Sequence, residues 1–145
     1  MVKENLIDLL HAEGCSCVIR KGDEARLFRR RGVIDLFELY ENDPAFMRGA
    51  RLADKVIGKG AAAVVALGGM TEVYADVIST PALDILRQAG IPVSFGQEVP
   101  CIINRRGDGR CPLETACDEL RTPEEMLPVI RKFVETIKAQ TKNKD

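Results

Sequence analysis

Residues 51–79 read RLADKVIGKGAAAVVALGGMTEVYADVIS, and the division of this stretch between helix and strand decides the fold. At about 100° per residue, Leu52, Ala53, Val56, Ile57, Val64 and Leu67 share one arc. That arc predicts a long helix from Arg51 to Leu67, closed by Gly68-Gly69. Its other side is Gly58, Ala61, Ala62 and Ala66, so the helix should be packed on both sides. Its charges, Asp54, Lys55 and Lys59, gather in the first turns. Glu72 to Ser79 then reads as a strand, and Thr80-Pro81 opens a helix that runs through Ala89 to a Gly90 cap.

Working outward, residues 3–13 carry Leu6, Ile7, Leu9 and Leu10 at helical spacing before Gly14. Cys15 to Lys21 alternates as a strand, Gly22-Asp23-Glu24 turns the chain, and Ala25 to Arg29 returns as a hairpin. A short helix over Val33–Tyr40 ends before Asn42-Asp43-Pro44. Beyond the central stretch, Ile91–Phe95 is a strand, continued by Val99–Ile103. A glycine-rich loop over Arg106–Arg110 leads to a short helix from Pro112. Thr122-Pro-Glu-Glu caps a final helix, and residues 139–145 are expected to fray. A hairpin followed by βαβ units predicts a mixed sheet in a three-layer α/β/α domain spanning residues 1–145.

The chain has 145 residues, 46% hydrophobic and 30% charged, with net charge −1. This balance excludes a disordered or collagen-like chain and argues against nucleic acid or a membrane surface as partner. Arg26 and Arg29-Arg30-Arg31 form a local basic run without interleaved aromatics, which reads as a solvated edge strand. The longest apolar run, 61–67, is too short to span a bilayer, and Met1-Val-Lys-Glu-Asn lacks the features of a signal peptide. Five scattered cysteines give no disulfide framework, so a cytoplasmic chain with reduced thiols is expected. The single histidine forbids any metal site that needs two imidazoles, and no metal or cofactor is expected.

Helix, hairpin, helix, strand, helix, strand resembles the layout of the cytidine-deaminase-like fold. Zinc deaminases carry H-x-E at the start of the helix after the hairpin and P-C-x-x-C at the start of the next. On the helices predicted above, those positions read Ala53-Asp54-Lys55 and Pro81-Ala-Leu-Asp-Ile85. The proline is kept and every ligand is missing, which argues against a zinc deaminase. His11-Ala-Glu13 spells the first triplet, but at the end of the first helix, and Pro100-Cys101 lacks its second cysteine. Three stretches resemble the small bacterial family of domains of unknown function 1893: Ala53–Lys59, Val73–Ser79 and Asn104–Glu114, over about residues 3–130. That resemblance implies a deaminase-like fold without zinc; it does not imply an activity.

Three groups of residues point to chemistry. Asp54, Lys55 and Lys59 come first, because lysines at i, i+4 on a helix lean over one patch and favour an anion. A desolvated lysine there, or Asp54, could act as acid or base. Ala53-x-x-x-x-Gly58-Lys59-Gly60 falls short of a phosphate loop at both ends, and a helix over these residues would leave no loop to cradle phosphate. The second group is Asn104 to Glu114. Its glycines free backbone amides, Arg105, Arg106 and Arg110 add charge, and Asn104, Arg105 and Asp108 are the expected ligand contacts. It ends in Cys111-Pro112-Leu-Glu114, which has the form of a helix start. A thiol in that setting is expected to be partly thiolate, which makes Cys111 the candidate nucleophile. The third is Ser79, a helix cap that can also line a pocket at a strand end. Together they predict a site for a small anionic or nucleotide-like molecule, with Cys111, Lys59 and Asp54 catalytic if a reaction occurs. The competing reading is a non-catalytic regulatory or scaffold domain, with homo-oligomerisation possible through a sheet edge or helix face.

Overall fold

The structure, a computed structural model, describes residues 2–30, 33–102 and 111–143, without the side chains of 2–5 and 140–143. Helix α1 (Val2–Ala12) leads into the hairpin β1 (Cys17–Lys21) and β2 (Glu24–Phe28). Helix α2 (Ile34–Asn42) follows, then a short α3 (Pro44–Met47) that the sequence pattern did not reveal. Asp43 caps α3 through its side chain, accepting from the Phe46 N–H.

The central stretch corrects the expected long helix. Arg51–Ile57 is strand β3, Gly58 is the turn, and α4 begins only at Lys59 and runs to Gly68. The arc of apolar residues misled because β3 lies between β1 and β4 and is covered on both faces. Its apolar residues therefore do not alternate with polar ones. Gly69 ends α4 with φ 73°, a left-handed conformation that glycine adopts without penalty.

Strand β4 (Glu72–Ser79) matches its expected bounds, and α5 (Thr80–Gln88) starts at Thr80-Pro81 as read. Strand β5 (Val93–Val99) starts two residues later than expected and ends at Val99. Residues 100–102 are not strand, against the expected continuation over Val99–Ile103, and Ile103 lies outside the described residues. Short α6 (Pro112–Ala116) and long α7 (Pro123–Asn143) complete the chain. Helix continues to Asn143, where the sequence predicts fraying from residue 139, and residues 144–145 lie outside the described residues.

The mixed sheet has the order β2-β1-β3-β4-β5. Strand β1 is antiparallel to both neighbours, and β3, β4 and β5 run parallel. Alternation along β1 sends Cys17 and Ile19 into the main core under α2, α4, α5 and α7, and Val18 into a smaller core. That smaller core is the opposite face, where α1 packs Leu6 and Leu10 over Val18 and Ala53. Helix α4 is the centre of the main core, buried from Gly60 to Val65 between the sheet, α5 and α7. Sheet, α1 and the larger helical layer thus make the expected mixed α/β arrangement.

The basic run is held by acids. Arg26 pairs with Glu24 and Asp43 and lies 3.8 Å over the Phe46 ring, and Arg30 pairs with Asp35 and Glu38. Arg31 lies outside the described residues. No helix among the described residues is long and apolar enough to cross a membrane.

Candidate functional site

A cavity of about 880 Å³ opens beside the ends of β1 and β3, among the first residues of α2, α4 and α6. Its apolar walls include Val33, Ile34, Ala61, Leu113, Phe133 and Ile137. Asp54, Lys55, Arg29 and Glu114 bring charge to it, and Cys15, Cys17 and Cys111 bring thiols. Mostly apolar walls with a few converging polar groups, at a volume within roughly 300–1,000 Å³, are the usual build of a small-molecule pocket.

Asp54 reaches this cavity because it lies two residues beyond Leu52 on β3 and so faces the same side of the sheet. Leu52 and Ile57 both face the main core although five positions apart, where strict alternation would put them on opposite faces. At the break the Asp54 carboxylate accepts the Val56 N–H at 3.2 Å, a local side-chain-to-backbone turn. Val56 is thrown outward, 45% exposed. Asp54 itself is 7% exposed and stands opposite Cys17 in the β1–β3 pairing. Burial pushes its pKa up to about 7, against the pull of the Val56 and Lys55 backbone N–H groups, and Asp76 and Asp35 add to the rise. Burial likewise pushes the Cys17 thiol well above its ordinary value, with Asp54 and Asp35 adding to it.

Glu114 organises the other wall. It is buried, and its Oε2 accepts the Lys59 backbone N–H at 2.7 Å and the Ser79 hydroxyl at 3.2 Å. Its Oε1 accepts the Ile102 N–H at 2.8 Å. A carboxylate from α6 thus occupies the positive end of α4, where a free anion would otherwise be favoured. The Ser79 oxygen also accepts the Ala82 N–H and so caps α5. Close approach of α6 requires the glycines of Gly58-Lys59-Gly60. A Cβ on Gly60 would stand 2.6 Å from Leu113 Cδ2, and one on Gly58 would stand 3.3 Å from Glu114 Oε2.

The residues singled out from the sequence fall into three sets. Asp54, Lys55 and Cys111 share the cavity. Lys55 and Lys59 are not one turn apart on a helix, since the first is on β3 and the second opens α4. The Lys59 ammonium donates to the Asp118 carbonyl at 3.1 Å, and Lys59 and Ser79 meet on Glu114 behind the cavity wall. Asn104, Arg105 and Asp108 lie outside the described residues. Cys111 is half-buried at the N-cap of the five-residue α6, its N–H donating to the Ile102 carbonyl. The near-phosphate-loop is a strand–turn–helix after all, but its helix start is filled by Glu114.

Reading missed Glu114, Cys17 and Arg29 as members of the site. In the sequence Glu114 fits the third position of its own helix start, and the signal that it serves another helix is the pair of glycines at 58 and 60. Dividing 51–67 also moves the deaminase positions by one helix. The helix after the hairpin is α2, beginning Val33-Ile34-Asp35, and the helix after the following strand, β3, is α4, beginning at Gly58-Lys59-Gly60. Neither start supplies an imidazole or a thiolate, so these residues do not fit zinc. Among the described residues no group of three acidic, Cys or His side chains could hold a metal ion. His11 Nε2 donates to the Asp76 carboxylate on the α1 face, 2.8 Å away.

A family model described as "Domain of unknown function (DUF1893)" matches residues 5–134. The chain is similar to the crystal structure of a DUF1893 family protein from Thermotoga maritima. The TM-score is 0.82 at 23% identity, with 90% of this chain and 88% of that chain covered. A slighter likeness is to RibD of Acinetobacter baumannii, with a TM-score of 0.45, 18% identity, and coverage of 56% of this chain and 28% of that one. No curated protein matches the chain.

Proposed function

The chain belongs to the DUF1893 family, and from its cavity we infer that the domain binds a small anionic, nucleotide-like ligand. The observation that carries this reading is the convergence of Asp54, Lys55 and Arg29 on one cavity with otherwise largely apolar walls. Apolar walls suit a flat ring, and the two cations suit a phosphate or carboxylate. The resemblance of the element order to the deaminase layout supports a base-sized pocket at this place in the fold.

If the ligand reacts, Cys111 is the thiol it meets and Asp54, poised near neutrality, is the acid or base. Lys59, committed to Asp118, is a weaker candidate for that role.

A thermal-shift panel of nucleoside monophosphates, diphosphates and small metabolite anions tests the binding. Stabilisation by at least one nucleotide is expected, and it should be lost in Lys55→Ala. A panel without any stabilisation at millimolar ligand contradicts the reading and leaves the scaffold role. Alkylation of Cys111 no faster than that of a free thiol peptide removes the nucleophile.

A further inference from the structure

Two carboxylates stand on the cavity wall, and the fold treats them differently. Glu114 gives both oxygens to donors of the chain itself, from Lys59, Ser79 and Ile102. Among the described residues, Asp54 receives only backbone N–H groups of its own strand, from Val56 and Lys55. No Lys, Arg or His among the described residues forms an ion pair with it. Of the groups around it, Cys17 on β1 is a thiol, Asp35 on α2 is engaged by Arg30, Asp76 on β4 is engaged by His11 and Tyr74, and Lys55 and Arg29 line the same cavity without pairing with it. An ionised carboxylate has about four acceptor positions. Asp54 is therefore a carboxylate more than nine-tenths buried, facing an open cavity, with acceptor capacity that no side chain among the described residues takes up.

We propose that the ligand edge docking on Asp54 carries two adjacent N–H donors, as the base-pairing edge of guanine does, so that the cavity selects a guanine nucleotide. This rests on the reading that the cavity holds a nucleotide-like anion, and it names the base. Two parallel N–H donors match the two carboxylate oxygens and form charge-assisted bonds. Adenine and cytosine set an acceptor beside their donor and would turn a lone pair toward the second oxygen. Uracil has a single donor between two acceptors. The phosphate is directed to Lys55 and Arg29, the cations of the same cavity.

Calorimetric titration at pH 8 with GMP, IMP and AMP tests this, using the full chain, Asp54→Asn and Lys55→Ala. IMP differs from GMP only in lacking the exocyclic amine, and the loss of one hydrogen bond to a charged group predicts at least tenfold weaker binding. AMP is expected to bind more weakly than GMP by a similar factor. Asp54→Asn should bring the GMP:IMP ratio near one, and Lys55→Ala should weaken all three nucleotides alike. Equal affinities for the three, or a GMP preference that survives Asp54→Asn, overturns the assignment of guanine while the nucleotide reading stands. Failure of every nucleotide to bind overturns that reading itself, and the assignment with it. If Asp54→Asn does not fold, as judged by circular dichroism, the GMP:IMP ratio of the unaltered chain decides alone.

Discussion

Replacing Glu114 should loosen the fold and the site together. In Glu114→Ala, the backbone N–H groups of Lys59 and Ile102 lose the acceptors they now hold at 2.7 and 2.8 Å, and the Ser79 hydroxyl loses its acceptor at 3.2 Å. Each orphaned donor costs about 1–2 kcal/mol, and removing a negative charge from the positive end of α4 costs up to about 1 kcal/mol more. The cavity next door admits water that can re-satisfy part of this, so the expected loss is about 2–4 kcal/mol. For a domain of this size that is a fall of about 6–12 °C in Tm. Glu114→Gln is the sharper variant, because it keeps the shape and half the acceptors. Whichever way its amide turns, an NH2 group faces an N–H donor and the charge is gone, so it should still lose about 2 kcal/mol. Thermal and urea unfolding followed by circular dichroism measure both. A Glu114→Gln chain that melts within 2 °C of the unaltered one refutes the reasoning and leaves Glu114 as a space-filling side chain.

Gly60→Ala should destabilise by about 1–3 kcal/mol through overpacking, since its Cβ would meet Leu113 Cδ2 at 2.6 Å. Adding Leu113→Ala should recover part of that loss in a double-mutant cycle, and a strictly additive cycle disproves the contact. For Asp54, a pKa raised in the folded state from 3.8 to about 7 means that the folded chain holds the proton longer. Its contribution to stability is therefore greatest at low pH, declines as pH rises from about 4 to 7, and is level above that. Asp54→Asn removes the decline, so its stability relative to the unaltered chain should grow across that window by at most about 4 kcal/mol. A difference that stays flat from pH 4 to 8 contradicts the buried placement. His11→Ala removes the half-exposed pair with Asp76 that ties α1 to β4, and should cost only about 0.5 kcal/mol in global stability. Hydrogen exchange should nevertheless quicken in α1, and unchanged α1 protection excludes the tie.

Much of this fold is legible in the sequence wherever one residue type fixes a local conformation. Ser79-Thr-Pro81 marks the passage from β4 to α5 because a hydroxyl cap and a proline at the first turn suit little else, and the cap is in place at 3.2 Å. The hairpin, the sheet class and the final helix are readable for similar reasons. The boundary between β3 and α4 is not. A strand covered on both faces loses the period-2 signal, and Leu52, Ala53, Val56 and Ile57 then fit a helical arc as well as a buried strand. That one ambiguity displaces everything measured from it: the pairing of Lys55 with Lys59 and the place where a deaminase would keep its metal ligands.

The small face of the supposed helix shows what was readable and what was not. Glycines and alanines there correctly indicate that α4 is packed on both sides, but not what packs on it. Gly60 makes room for Leu113, and Gly68 stands where a Cβ would overlap the Met47 sulfur. The partner of the first helical N–H, Glu114, lies 55 residues further along the chain. Caps made within three or four residues leave a sequence pattern, because both partners sit in one local frame. A cap delivered by a distant helix leaves only its steric trace, a glycine on each side of the capped residue. Gly58-Lys59-Gly60 is that trace, and it marks the α4 start as a place where the chain supplies its own anion.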